Sequence, residues 1–130
     1  MSNEELVKAA LQARTGSYAP YSGFRVGAAL LTPGGRVFTG CNVENASYGL
    51  TMCAERVAVG KAVSEGEREF VAIAVAGNGR EKCLPCGACR QVLAEFAPDM
   101  AVIAVNEYGD YSVTRLNELL PQSFCLPSGK

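Results

Sequence analysis

Two segments of the sequence, residues 70–76 and 101–105, are apolar at every position. Strands of this kind have no face suited to water, and they occur in sheets that helices cover on both sides. Helical patterns over residues 4–16, 53–64 and 85–96 alternate with them. This alternation predicts an α/β fold. We expect a three-layer α/β/α arrangement in which a mixed five-stranded sheet forms the middle layer.

A hairpin precedes these units and supplies the first two strands. Residues 24–32 and 36–41 have strand character, and residues 33–35, with the sequence Pro-Gly-Gly, form a turn signal between them. Another turn signal at residues 108–110 leads to a last short strand, and residues 115–120 predict a terminal helical turn. The strand count therefore reaches five.

Composition narrows the chemistry more than it narrows the fold. The 130 residues match the usual size of one domain, so we predict a single domain over residues 1–130. There is no histidine, which excludes a Ser-His or Cys-His nucleophile and any imidazole ligand within the chain. The net charge of −1 argues against a general nucleic-acid binder.

The sequence also predicts a cytoplasmic protein that does not associate with membranes. It contains no apolar run long enough to span a bilayer, and its first residues do not resemble a signal peptide. In the cytoplasm, six cysteines are expected to be thiols or metal ligands rather than disulfides.

Three of the cysteines, Cys83, Cys86 and Cys89, form two overlapping C-x-x-C pairs. Such a pair is found in redox proteins and in metal sites. An iron–sulfur motif of the ferredoxin type would need a further cysteine where Leu93 stands. Zinc remains, either in an open catalytic site with Cys53, Cys86 and Cys89 or in a closed structural site that adds Cys83.

Two features favour the open site. Cys53 precedes one predicted helix, and Cys86 and Cys89 lie at the start of another. Backbone N–H groups at helix N-termini stabilise thiolates. Glu55 follows Cys53 by two residues, where a carboxylate can lie beside the metal without binding it and act as a general acid and base.

The charge of this site predicts a role for a cation. Three thiolates and Zn²⁺ sum to −1, and a nearby donor to the sulfurs would offset that charge. We expect Arg56 to be this donor. Arg90 is expected to be a surface side chain, and Gln91 is a weaker candidate donor.

Several motifs together resemble the zinc deaminases, and among these the small homotetrameric cytidine deaminases with three cysteine ligands. The resemblance covers nearly the whole chain and is carried by residues 20–24 (PYSGF), 26–30 (VGAAL), 40–46 (GCNVENA), 53–56 (CAER), 85–92 (PCGACRQV) and 118–124 (ELLPQSF). It implies a cytidine deaminase-like fold, one zinc ion in each subunit, and hydrolysis of cytidine and deoxycytidine to uridine and deoxyuridine with release of ammonia, as in pyrimidine salvage.

The resemblance also implies a role for each matched residue. Glu55 moves protons between the attacking water, N3 of cytosine and the departing amino group. The backbone N–H of Ala54 binds the carbonyl of the base, and Phe24 packs on its ring. Asn42 and Glu44 bind the 3′-hydroxyl of the ribose.

In the tetramers that the resemblance implies, neighbouring subunits complete each site. Ala46, Tyr48 and Phe124 match the residues expected to do this. The alternatives from the residues alone are a core position for Phe24, turn positions for Asn42 and Glu44, an exposed loop aromatic at Tyr48, and a C-terminal anchor at Phe124. The competing functions are a blasticidin S deaminase, a polynucleotide deaminase, and a structural zinc or redox module without catalysis.

Overall fold

The sheet has five strands in the order β2-β1-β3-β4-β5, in a computed structural model that describes residues 1–127. β3 and β4 run parallel, whereas every other neighbouring pair is antiparallel. This is the mixed five-stranded sheet that the sequence predicts. The strands are β1 (Val26–Leu31), β2 (Val37–Cys41), β3 (Ala72–Gly77), β4 (Ala101–Val105) and β5 (Tyr111–Arg115).

Helices cover both faces of this sheet, which confirms the three-layer prediction. The helices are α1 (Asn3–Ala13), α2 (Ala54–Ser64), α3 (Gly87–Ala94) and the short α4 (Leu116–Leu119). α1 packs on one face, and α2 and α3 bury the apolar residues of the other face. Every residue of β3 is buried, because the uniformly apolar strand is enclosed between the two helical layers.

Some predicted boundaries differ from the structure at the ends of elements. The predicted helix over residues 85–96 begins at Gly87, because Cys86 is its N-cap and has an extended backbone. The predicted helix over residues 4–16 ends at Ala13 and continues as a 3₁₀ turn, Arg14–Gly16. Both differences involve the single turn in which a helix begins or ends.

Gly40 brings the start of α2 against the hairpin. A β-carbon at this position would lie 2.4 Å from the carbonyl oxygen of Ala54 and 2.7 Å from the backbone nitrogen of Ala58. Only glycine allows so close an approach, so the first turn of α2 packs directly on β2. Within residues 1–127, no helix is long and apolar enough to cross a membrane.

Candidate metal centre and active site

Three cysteine thiols meet where α2 and α3 begin. Cys53 is the N-cap of α2, Cys86 is the N-cap of α3, and Cys89 lies in the first turn of α3. Their Sγ atoms all lie within 4.8 Å of one another, and no histidine, carboxylate or fourth cysteine joins them within residues 1–127. We call Cys53, Cys86 and Cys89 the thiol cluster.

Cys83 stands apart from the thiol cluster, which favours the open three-ligand site over the closed one. Its backbone N–H donates to the carbonyl of Val105 at 3.1 Å, in an isolated bridge beside β4. Burial raises the pKa of its thiol to about 12, and the charges of Glu55 and Cys53 act in the same direction. Cys83 is not among the cysteines whose sulfur atoms lie within 4.8 Å of one another.

The thiol cluster fits a soft divalent metal. A hydrogen bond with Cys89 lowers the pKa of Cys53 to about 5, and Arg56 adds to this lowering. Arg56 Nη2 donates to Cys53 Sγ at 3.6 Å and to the carbonyl of Thr51 at 3.1 Å. Arg56 Nε is buried and has no hydrogen-bond partner among the described residues. A donor left unpaired beside sulfurs suits a site in which further thiols lose their protons to a metal.

Glu55 is buried beside the thiol cluster, with only 4% of its surface exposed. Burial raises the pKa of its carboxyl to about 7, and the negative charge of Cys53 acts in the same direction. Its own backbone N–H and the Cys89 thiol hydrogen-bond to the carboxyl and oppose this shift. A carboxyl that titrates near neutral pH can both accept and donate a proton.

Two adjoining pockets open above these groups. An inner pocket of about 220 Å³ is lined by Cys53, Cys86, Ala54, Glu55, Phe24 and Asn42, among others. An outer pocket of about 380 Å³ is lined by Tyr21, Ser22, Glu44, Tyr48 and Thr51. Thr51 borders both pockets. We call Tyr21, Ser22, Glu44 and Tyr48 the outer rim. The inner pocket brings together the predicted acid–base residue, the predicted ring contact and three thiols, of which Cys53 and Cys86 belong to the thiol cluster and Cys83 does not.

Asn42 and Glu44 lie at different depths. Asn42 is buried, its Oδ1 accepts from the backbone N–H of Val26 at 2.9 Å, and its Nδ2 donates to the carbonyl of Phe24 at 2.8 Å. A second amide hydrogen and a second lone pair of this side chain remain for a ligand. Glu44 accepts from the backbone N–H groups of Tyr21 and Ser22 and from the Ser22 hydroxyl.

Ala46, Tyr48 and Phe124 are exposed in the single chain. Tyr48 belongs to the outer rim, Ala46 lies in the loop before it, and Phe124 lies beside α3, away from both pockets. Gln91 holds the Phe124 backbone from both sides, with Nε2 donating to its carbonyl at 2.9 Å and Oε1 accepting from its N–H at 3.1 Å. Gln91 is therefore bound to the C-terminal segment.

Arg90 is also more than a surface side chain, contrary to expectation. Its Nε donates to the carbonyl of Pro85 at 2.8 Å, and its Nη1 donates to the carbonyl of Leu119 at 3.1 Å. These two bonds tie the segment that carries Cys86 to α4. Local sequence gave no signal for this contact, because it joins residues 29 positions apart.

The proteins to which this chain is similar are zinc-binding deaminases, as the geometry of the thiol cluster and Glu55 leads us to expect. A family model described as the cytidine and deoxycytidylate deaminase zinc-binding region matches residues 1–105. A cytidine deaminase of Halalkalibacterium halodurans is 54% identical over 95% of each chain, and one of Sporosarcina psychrophila is 48% identical over 95% of this chain and 92% of that one.

The fold also matches a solved structure of a cytidine deaminase. The 1.6 Å crystal structure of cytidine deaminase from Burkholderia pseudomallei superposes with a TM-score of 0.92 at 52% identity, covering 95% of this chain and all of that chain. With the thiol cluster in place, the matched zinc-binding region identifies the metal of this protein as zinc. The chain belongs to the cytidine and deoxycytidylate deaminase family.

Proposed function

We propose that the protein catalyses hydrolytic deamination of cytidine and deoxycytidine, giving uridine or deoxyuridine and ammonia. One observation carries this proposal: the buried Glu55 carboxyl lines the same pocket as Cys53 and Cys86 of the thiol cluster, and Phe24 forms another part of its wall. A metal-activating donor set, a proton carrier and a flat apolar surface are what attack of water on a cytosine ring requires.

In this proposal the zinc ion would be held by the thiol cluster. When bound, zinc would act as a Lewis acid that makes water nucleophilic at neutral pH. Glu55 accepts a proton from the attacking water and delivers it to N3 of the cytosine ring. Glu55 then transfers the second proton of that water to the amino group, and ammonia leaves as the C4–N bond breaks. The oxygen of the water thereby becomes the product carbonyl, one of its protons stays on N3 of the product, and the other leaves with ammonia.

The other predicted contacts orient the nucleoside. The Ala54 backbone N–H, at the first position of α2, donates to the carbonyl of the base. Phe24 packs on the ring, while Asn42 and Glu44 bind the ribose 3′-hydroxyl through the amide hydrogen and carboxylate lone pairs that their backbone partners leave unused. Arg56 stabilises the thiolates.

The active protein is a homotetramer in this proposal, with each site completed by neighbouring subunits. The supporting observation is the exposure of two large aromatic side chains: Tyr48, at the open outer pocket, is 76% exposed, and Phe124, beside α3, is 69% exposed. Burial against a neighbour would remove this apolar surface from water. We place the enzyme in the cytoplasm, where its six cysteines, all without disulfides, stay reduced.

The direct test is incubation of the zinc-loaded protein with cytidine, deoxycytidine and blasticidin S while the loss of cytosine absorbance is followed. We expect turnover of the two nucleosides and little of the antibiotic. Turnover of blasticidin S alone would reassign the substrate, and turnover of none of the three would overturn the proposal. Light scattering of the same sample measures the mass of the assembly.

A further inference from the structure

Gly77, the last residue of β3, lies against the ring of Phe24. A β-carbon at this position would lie 2.8 Å from Phe24 Cζ, 3.3 Å from Cys83 Cβ and 3.4 Å from Cys83 Sγ. Carbon atoms in contact are normally separated by about 3.5–4.0 Å. The glycine therefore provides space: its missing side chain is the volume that the ring edge of Phe24 occupies.

The neighbours on the other sides of Gly77 are fixed. Gly77 itself pairs with Val26 in the sheet. Cys83 is held to the backbone of Val105 by its N–H, at 3.1 Å. Phe24, in contrast, has 43% of its surface exposed. A side chain added at residue 77 would consequently displace the Phe24 ring rather than the strand or Cys83.

The backbone of Phe24 is fixed independently of its ring. Its carbonyl accepts from Asn42 Nδ2 at 2.8 Å, and its N–H donates to Ser22 Oγ at 3.0 Å. Asn78, next to Gly77, donates to the carbonyl of Gly23 at 3.0 Å. With its backbone held, Phe24 can still change the orientation of its ring, and the space at Gly77 determines that orientation.

We propose that Gly77 is a positioning residue for substrate binding, which seats the Phe24 ring in the wall of the inner pocket. The inference rests on the proposed function, because a flat pyrimidine ring is the ligand that this wall suits. The ring of Phe24 is a surface on which a base stacks, so a displaced ring weakens binding without altering Glu55 or the thiol cluster.

The test is steady-state kinetics of the zinc-loaded Gly77→Ala variant with cytidine. We expect KM to rise about five- to tenfold, a fraction of one base–aromatic contact, with kcat within about twofold of the unmodified enzyme. The inhibition constant for uridine should rise by the same factor as KM. Zinc content and melting temperature, measured on the same sample, show whether the fold is intact.

Gly79→Ala is the matched control. A β-carbon on Gly79 would lie 3.7 Å from Phe24 Cε1, which is ordinary contact, so KM should stay unchanged. An unchanged KM in a folded, zinc-loaded Gly77→Ala variant would overturn the inference. Absence of cytidine turnover in the unmodified enzyme would instead overturn the proposed function, so the two failures are distinguishable.

A double-mutant cycle with Phe24→Leu separates seating of the ring from a general structural effect. Leucine has no atom at the Cζ position, so Gly77→Ala should raise KM no further in the Phe24→Leu background. Equal KM increases in both backgrounds would contradict the proposal. If Gly77→Ala alone fails to fold, recovery of a folded double variant supports the seating contact, and an unfolded double variant overturns it.

Discussion

The thiol cluster and the outer rim differ in how completely one chain builds them. Cys89 and Glu55 are buried, with 0% and 4% of their surfaces exposed, and helix N-termini fix their backbones. Tyr21 and Tyr48 in the outer rim are 52% and 76% exposed, and they lie on loops and a single 3₁₀ turn. The thiol cluster and Glu55 are thus assembled within one chain, whereas the outer rim is left open to solvent.

This difference separates the effects that substitutions should have. A change in the thiol cluster or Glu55 acts on metal binding or on the chemical step, so it should appear in zinc content or kcat. A change in the outer rim acts on ground-state binding, so it should appear in KM.

The largest effect is expected for Glu55→Gln. Glutamine has nearly the same shape but cannot accept and return a proton, so kcat should fall at least about 10³-fold. Zinc content and fold should be retained, because Glu55 is not a ligand in our proposal. Absorbance assays and elemental analysis measure the two quantities. Normal deamination of cytidine by this variant would contradict the mechanism.

The second effect concerns the ligands themselves. Cys86→Ser removes one of three thiolates at an exposed position, and we expect zinc affinity to fall about a hundredfold or more. Cys83→Ser is the matched control, since Cys83 lies outside the thiol cluster and should leave zinc bound. Competition with a chelator measures both affinities. Loss of zinc from the Cys83 variant would instead support the closed site with four cysteine ligands.

Arg56→Gln should have a smaller effect on the same property. It removes the donor to Cys53 and the buried Nε, and losing such a supporting bond typically weakens metal binding about 10–100-fold. Arg90→Gln serves as the comparison, because the Arg90 side chain donates to carbonyl oxygens rather than to sulfur. Equal zinc affinities in the two variants would show that Arg56 does not support the thiolates.

The sequence predicted most of the fold and the Cys86–Cys89 pair of the thiol cluster because their signals are local. The uniform apolarity of β3 and β4 requires two covering layers, and the cysteine spacing places Cys86 and Cys89 on one helical turn. The Gln91–Phe124 and Gly77–Phe24 contacts could not be predicted in this way. Each joins residues from distant segments, and only the folded topology brings them together.

Tyr48→Ala should leave zinc content and kcat nearly unchanged and raise KM for cytidine. The loss of one aromatic contact corresponds to about a two- to tenfold increase. If neighbouring subunits complete the site, the variant should also dissociate at a higher protein concentration than the unmodified enzyme. Kinetics and light scattering over a dilution series test both effects. A fall in kcat with KM unchanged would place Tyr48 in the catalytic class instead.

The smallest effect concerns the stability of the outer rim. The Ser22 hydroxyl lowers the pKa of the Glu44 carboxyl, and the backbone N–H groups of Tyr21 and Ser22 add to this lowering. Because the folded pKa lies below the unfolded one, the ionised carboxylate contributes stability above the unfolded pKa, and this contribution is lost as pH falls through the folded pKa.

Glu44→Gln should therefore melt slightly below the unmodified protein at pH 7, and the difference should shrink under acidic conditions. Since Glu44 is only half-buried, solvent screens its charge and the shift should be small. A difference in melting temperature that stays constant down to low pH would show that the Glu44 charge does not stabilise the outer rim.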